Sequence, residues 1–217
     1  MPGDGSPPAD AANAPQARDA VRCFVGFELT DASRAYLRER VEALHAELGR
    51  RLEHPPRVVP PDNWHATLLF FPRLGRAERD VVWEAVTRGV SEGAWRDLRF
   101  AWQRLAVWPN PRRPGLICAE AEPYLAAAQW PLLDSLHQAP FNQADTRHAG
   151  RYVPHITVMR FRRGRHARLA PDWEALPEAL RALDATRIRF DRVAFFLSTV
   201  SAQAPIYPRE RTLPLAD

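Results

Sequence analysis

Trp64-His65-Ala66-Thr67-Leu68-Leu69-Phe70-Phe71 and Tyr152-Val153-Pro154-His155-Ile156-Thr157-Val158-Met159-Arg160-Phe161 share one pattern, His-x-Thr followed by an aliphatic residue. The two histidines are 90 positions apart. Both runs are apolar and read as strands. Side chains alternate faces along a strand, so His65 and Thr67 point one way, as do His155 and Thr157. One such pair is common. Two, in the two halves of one chain, suggest a duplicated unit that brings both imidazoles to one cleft. Trp64 could stack on a base, but alternation turns it away from His65, which favours a place in the core. It also turns Arg160 away from His155, so Arg160 reaches the cleft only if its strand bends, twists or ends first.

The flanking segments extend this reading. Val21-Arg22-Cys23-Phe24-Val25-Gly26-Phe27-Glu28 is a compact apolar strand. Thr30 then reads as a helix N-cap, and Ala35, Leu37, Val41, Leu44 and Leu48 give residues 31–52 helical spacing. Pro55-Pro56 ends that helix, and Pro60-Pro61-Asp62-Asn63 turns the chain into the first His strand. Pro72 to Gly75 is expected to close that strand. Residues 76–93 read as a helix with Val81, Val82, Ala85, Val86 and Val90 on one side. Strands at 98–107 and 115–121 are expected next, separated by the loop Trp108-Pro109-Asn110-Pro111-Arg112-Arg113-Pro114. A third helix over 124–138, a polar loop over 139–150 and the second His strand over 151–162 follow. A helix at 173–183 and strands at 188–198 and 206–213 complete the order. This order predicts an α+β fold with helices on one face of mostly antiparallel sheet.

The chain has 217 residues, 46% of them hydrophobic, enough for a sizeable core. Residues 1–19 are rich in Pro, Ala, Gly and Asp and read as a disordered tail, leaving 20–217 as a single domain. Net charge is +4 and the pI about 9.7, which suits polyanionic partners such as RNA. All 30 basic residues are Arg. With the many Ala and 21 Pro, this points to codon bias, so part of the Arg excess carries no functional information. Cys23 and Cys118 lie in apolar runs and read as buried thiols. Neither a secretory signal nor a transmembrane span is visible, so a cytoplasmic protein without membrane association is expected.

A pair of imidazoles has a definite use. With a reference pKa of ~6.5, one can accept a proton while the other donates, each transfer contributing ~10²–10⁴ in rate. The threonine hydroxyls can donate to phosphoryl oxygens and stabilise a pentacovalent phosphorus. A phosphodiester, above all a strained cyclic one, suits this apparatus. It needs no cofactor and no metal. A guanidinium at Arg160 suits phosphate recognition. A strand histidine can equally be a core residue bonded to a carbonyl, and Arg160 can be a surface residue among Arg162, Arg163, Arg165 and Arg168. The matched order of both motifs favours the paired reading. His45, His54, His137, His148 and His166 show no metal-binding spacing.

At these residues the chain resembles the two-histidine phosphoesterase superfamily, and within it the RNA 2′,3′-cyclic phosphodiesterase, or 2′-5′ RNA ligase, family. The likeness runs from Val21 to the end. Pro61-Asp62-Asn63-Trp64-His65-Ala66-Thr67-Leu68 is similar to the family's first motif. Tyr152-Val153-Pro154-His155-Ile156-Thr157-Val158-Met159-Arg160 is similar to its second. Residues 108–114 look like its proline-rich turn, and Phe196-Leu197-Ser198 with Tyr207 resemble its closing hairpin. Val158 replaces the commoner Leu, and Ala204-Pro205 stands where a Gly turn is usual.

The resemblance implies a bilobal fold whose two lobes are related by a pseudo-two-fold axis, with both motifs in the central cleft. It implies opening of an RNA 2′,3′-cyclic phosphate to a 2′-phosphomonoester, with His65 as proton donor, His155 as proton acceptor, Thr67 and Thr157 on the phosphoryl oxygens and Arg160 binding substrate. The two histidine roles can be exchanged. Reverse 2′-5′ ligation of RNA ends is an expected side activity, and the protein is expected to act as a monomer. A small cyclic phosphate, such as an ADP-ribose cyclic phosphate or a cyclic nucleotide, is the alternative substrate. A non-catalytic RNA-end-binding module is the alternative from another class.

Overall fold

The computed structural model describes residues 19–93, 95, 100–122, 153–162, 169–200 and 205–215. Strand β1 (Val21–Leu29) is buried from Cys23 to Leu29 on both faces, which places it inside a sheet. Helix α1 (Asp31–Arg51) follows at once. Its N-cap is Thr30, whose hydroxyl oxygen accepts the Ser33 N–H at 3.1 Å, as a Thr at that position should. The helix buries Ser33, Tyr36, Leu37, Val41, Leu44 and Leu48. Ala35, expected on that face, is exposed. Two hydroxyl residues take part in the face instead, because each finds a partner: the Arg189 N–H donates to Ser33 Oγ at 2.8 Å and the Asp184 N–H to Tyr36 Oη at 2.7 Å.

A two-residue strand, β2 (Arg57–Val58), and a turn over Pro61–Asn63 lead into β3 (His65–Leu74), the first His strand. This strand runs three residues past its expected end. Pro72 is tolerated because the β1–β3 ladder is irregular between Val21/Leu74 and Cys23/Phe71, where a missing N–H costs no regular bond. Helix α2 (Arg76–Ser91) buries Val82, Val86 and Gly89, while Val81, expected inward, is 42% exposed.

Strands β4 (Trp102–Asn110) and β5 (Arg113–Ala121) pair along their length. The expected loop over 108–114 is therefore the tip of a hairpin. Trp108–Pro109 is cis, and Asn110 Oδ1 accepts the N–H groups of Arg112 and Arg113 at 3.0 and 3.1 Å. The second His strand is β6 (His155–Arg160). The helix expected at 173–183 is two short ones, Leu169–Glu174 and Glu178–Arg181, because Pro177 between them cannot continue a helical ladder. Strands β7 (Phe190–Leu197), β8 (Thr199–Val200), β9 (Pro205–Ile206) and β10 (Arg209–Pro214) complete the described elements. The expected helix over 124–138, the loop over 139–150, Arg163, Arg165 and Arg168, and all but Asp19 of the expected tail lie outside the described residues.

The principal sheet has eight strands, ordered β10-β7-β1-β3-β6-β5-β4, with β2 also on β6. Every pairing in it is antiparallel. The predicted α+β architecture is present. The two motif strands are neighbours at the centre, paired at Ala66↔Ile156, and each is flanked outward by an antiparallel partner, β1 or β5. This is the two-fold relation between halves that the repeated motif predicts.

The main core lies under the sheet and takes Trp64, as alternation requires. Trp64 is 2% exposed, and its indole N–H donates to the Val59 carbonyl at 2.9 Å. The Val59 N–H donates in turn to Val158 O at 2.8 Å, which ties the approach to the first motif onto the second. Arg34 on α1 holds the same approach through the Pro61 carbonyl at 2.7 Å. Truncating Trp64 to Ala removes a buried ring and the bond to Val59. A loss of about 3–5 kcal/mol in urea unfolding is expected. A change within 1 kcal/mol or so would mean that Trp64 does not anchor the approach.

Candidate active site

The ladders show how both motifs face one cleft. Between Gly26↔Thr67 and Val25↔Leu69, β3 advances two residues while β1 advances one, so Leu68 is a β-bulge. Between Cys118↔Thr157 and Ile117↔Met159, Val158 is the same bulge in β6. Leu68, Leu69, Val158 and Met159 are all buried as a result. The bulge shifts parity by one, so Phe70 and Arg160 turn back to the face that carries the histidines. This resolves the question that alternation raised about Arg160: the strand is bulged before it, and Arg160 lines the cleft.

His65, Thr67, His155, Thr157 and Arg160 all line one cleft of about 200 Å³, and all are half-buried. Antiparallel counting from Ala66↔Ile156 sets His65 across from Thr157 and His155 across from Thr67. Each imidazole thus works beside the hydroxyl of the other motif.

Both rings are held the same way. His65 Nδ1 is 2.7 Å from the Asn63 carbonyl, and His155 Nδ1 is 3.1 Å from the Val153 carbonyl. A carbonyl only accepts, so in each ring the proton of the neutral imidazole sits on Nδ1 and Nε2 is the acceptor nitrogen. The carbonyl two residues back is available because each lead-in is an extended or turn segment rather than ladder.

The surroundings of the two rings differ. His65 stacks on Phe24 at 4.5 Å between centroids and lies 5.3 Å from both Phe196 and Tyr207. Gly26 makes this approach possible: a Cβ there would sit 3.0 Å from the Ala66 carbonyl oxygen and 3.6 Å from His65 Cδ2. His155 packs on Trp108 at 4.5 Å. The Trp108 indole N–H donates to Glu120, which is His155's neighbour across the ladder. Glu28 holds the matching place beside His65, but it is 4% exposed and paired with Arg209 at 2.5 Å. Burial among the rings pushes the His65 pKa down to about 4. The bond to Asn63 opposes this, and the positive charges of His155 and Arg160 add to it.

Several of these groups were out of reach of the sequence. Phe24 is an ordinary strand aromatic there, Trp108 reads as part of a loop, and Glu28 and Glu120 become neighbours of the histidines only through the ladder. Arg22 and Arg57 also line the cleft. Of the remaining histidines, His45 bonds the Pro56 carbonyl at 3.1 Å and His54 lies beside Glu53, away from the cleft. His137, His148 and His166 lie outside the described residues. Cys23 and Cys118 are free and buried, as expected. Burial pushes the Cys23 thiol up to about 12 and the Cys118 thiol higher still, so neither is a nucleophile near neutrality. Among the described residues no group of three or more His, Cys, Asp or Glu is placed to hold a metal ion. No helix there is long and apolar enough to cross a membrane.

The His65 shift has a sign that can be measured. A histidine depressed in the fold binds its proton more readily when unfolded, so its contribution to stability falls as pH drops from about 6.5 toward 4. In an NMR titration of the free protein, the His65 ring is expected to stay neutral at pH 6 and to protonate near 4. Protonation of His65 around 6.5 would contradict the buried, cation-flanked setting described here.

No family model and no curated protein matches this chain. Solved structures do. E. coli LigT in apo form aligns over 92% of this chain and 99% of its own, at 16% identity and a TM-score of 0.55. E. coli LigT complexed with phosphate aligns over the same shares at 16% identity and 0.53. A structure described as a phosphoesterase aligns over 91% of this chain and 99% of its own, at 16% identity and 0.50. At these identities the likeness is one of fold. The chain has a LigT-like α+β fold.

Proposed function

We propose that this protein hydrolyses the 2′,3′-cyclic phosphate at an RNA end to a 2′-phosphomonoester by metal-independent acid–base catalysis. One observation carries the reading. Two His-x-Thr pairs with matching Nδ1-to-carbonyl anchors present Nε2 and hydroxyl groups to a single cleft. LigT structures complexed with phosphate and with 3′-AMP support a phosphate ligand for this fold.

In this mechanism His155 Nε2 takes a proton from water as the water oxygen bonds to phosphorus. The P–O3′ bond breaks, and His65 Nε2 gives its proton to O3′. Thr67 and Thr157 donate to the non-bridging oxygens, and Arg160 offsets their growing charge. His65 is neutral in the empty cleft near pH 7. Entry of the phosphate anion raises its pKa, because an opposite charge within ~4–6 Å favours the imidazolium. Binding therefore increases the fraction of His65 that carries the proton for the leaving oxygen. With a 5′-hydroxyl replacing water in the reverse direction, the same groups would join RNA ends through a 2′-5′ bond. A cleft complete within one chain supports action as a monomer, and two free buried thiols support a cytoplasmic setting. The small cleft favours one second reading, turnover of a compact cyclic nucleotide, which a substrate panel separates from RNA ends.

With purified protein, chelator and RNA ending in a 2′,3′-cyclic phosphate, a 2′-phosphate product is expected. His65→Ala and His155→Ala should each lower kcat by ~10²-fold or more while leaving the unfolding midpoint nearly unchanged. No turnover, or turnover abolished by chelator, contradicts the reading. A nucleoside 2′-monophosphate should raise the His65 pKa by about one unit or more in the NMR titration. An unmoved pKa would assign the donor role to His155 instead.

A further inference from the structure

The cleft continues past the reacting groups. Arg57 on β2 stands directly opposite Arg160 on β6, and both side chains line the cleft. Arg57 is exposed at the rim, while Arg160 is half-buried. Two guanidinium groups side by side on one face of a ladder give that end of the cleft donors and charge suited to a phosphate. From Thr157 to Arg160 the strand advances about 10 Å at ~3.3 Å per residue, less the bulge. Arg160 is near enough to His65 for its charge to act on that ring, so it can serve a phosphoryl group held between the motifs. Arg57, on the neighbouring strand, stands beside Arg160 at the exposed end of the same cleft.

We infer that Arg57, with Arg160, forms a subsite for a second phosphate of the same ligand, the phosphate on the 5′ side of the nucleotide whose cyclic phosphate reacts. The substrate class is then an RNA end or a 5′-phosphorylated nucleotide, rather than a bare nucleoside cyclic phosphate. This inference rests on the phosphodiesterase reading above. Arg22 offers a control. It lies over the Phe70 ring at 4.8 Å. Phe70 and Arg160 leave Ala66↔Ile156 in opposite directions, so Arg22 marks the far end of the cleft.

The test compares kcat/KM for a nucleoside 2′,3′-cyclic phosphate and for the same compound carrying a 5′-phosphate. Wild type should prefer the 5′-phosphorylated form by ~10-fold, mainly through KM, as one charge-assisted contact would give. Arg57→Gln should bring the ratio close to one, Arg57→Lys should keep part of it, and Arg22→Gln should leave it in place. Equal rates in wild type, a ratio that survives Arg57→Gln, or a ratio lost in Arg22→Gln instead would each overturn the inference. Should wild type turn over neither compound nor RNA ending in a 2′,3′-cyclic phosphate, the phosphodiesterase reading fails. Calorimetry then decides the subsite alone. A nucleoside 2′,5′-bisphosphate should bind ~10-fold more tightly than the 2′-monophosphate in wild type but not in Arg57→Gln, and equal affinities in wild type would overturn it.

Discussion

A strand that alternated strictly from its histidine would give the cleft a His and a Thr and nothing more. The next inward positions would be Leu69 and Met159, with Phe70 and Arg160 on the core side. One extra residue in each motif strand prevents this. The bulges at Leu68 and Val158 let two consecutive apolar side chains enter the core and return the following residue to the cleft. An arginine directed into the core at position 160 would be a buried cation with no water, which is costly unless paired. The bulge turns that liability into a group lining the cleft. Because it recurs at the same place in both motifs, the site keeps its two-fold relation through the point where the strands leave regular pairing.

The symmetry is broken by chemistry rather than by backbone. The equivalent bulge positions lead to an aromatic ring on one side, Phe70, and a guanidinium on the other, Arg160. His65 sits in a small apolar cluster of Phe24, Phe196, Phe70 and Tyr207 set apart from the main core. His155 sits against an indole tied to a carboxylate. Two copies of one motif therefore set their imidazoles in different surroundings, and burial lowers the pKa of the His65 ring. The common Nδ1 anchor, a backbone carbonyl two residues back, fixes both rings in the same way.

Much of this was legible in the sequence, for physical reasons that can be named. The two His-x-Thr runs were visible because a period of two and a repeated order survive any local distortion. Helix α1 was visible through its Thr cap and apolar spacing, and Trp64 was assigned to the core by parity alone. Arg160 was not settled, because a bulge shifts the period it would be read by. The paired apolar residues Leu68-Leu69 and Val158-Met159 were its only trace. Proline misled in both directions: it suggested an early end to β3 and a loop at 108–114, whereas ladder irregularities accommodate Pro72 and Pro109 within strands. Phe24, Trp108, Glu28 and Glu120 could not be found by spacing, since only cross-strand register makes them neighbours of the histidines.

The central claim is that both motifs act on one phosphorus atom. A crystal structure with a nucleoside 2′-monophosphate tests it most directly. The account predicts the phosphate between the motif strands, with Nε2 of His65 and of His155 and the Oγ1 atoms of Thr67 and Thr157 all within ~2.6–3.2 Å of its oxygens or of a water bonded to it. A phosphate seated on one motif alone, or outside this cleft, would contradict the account.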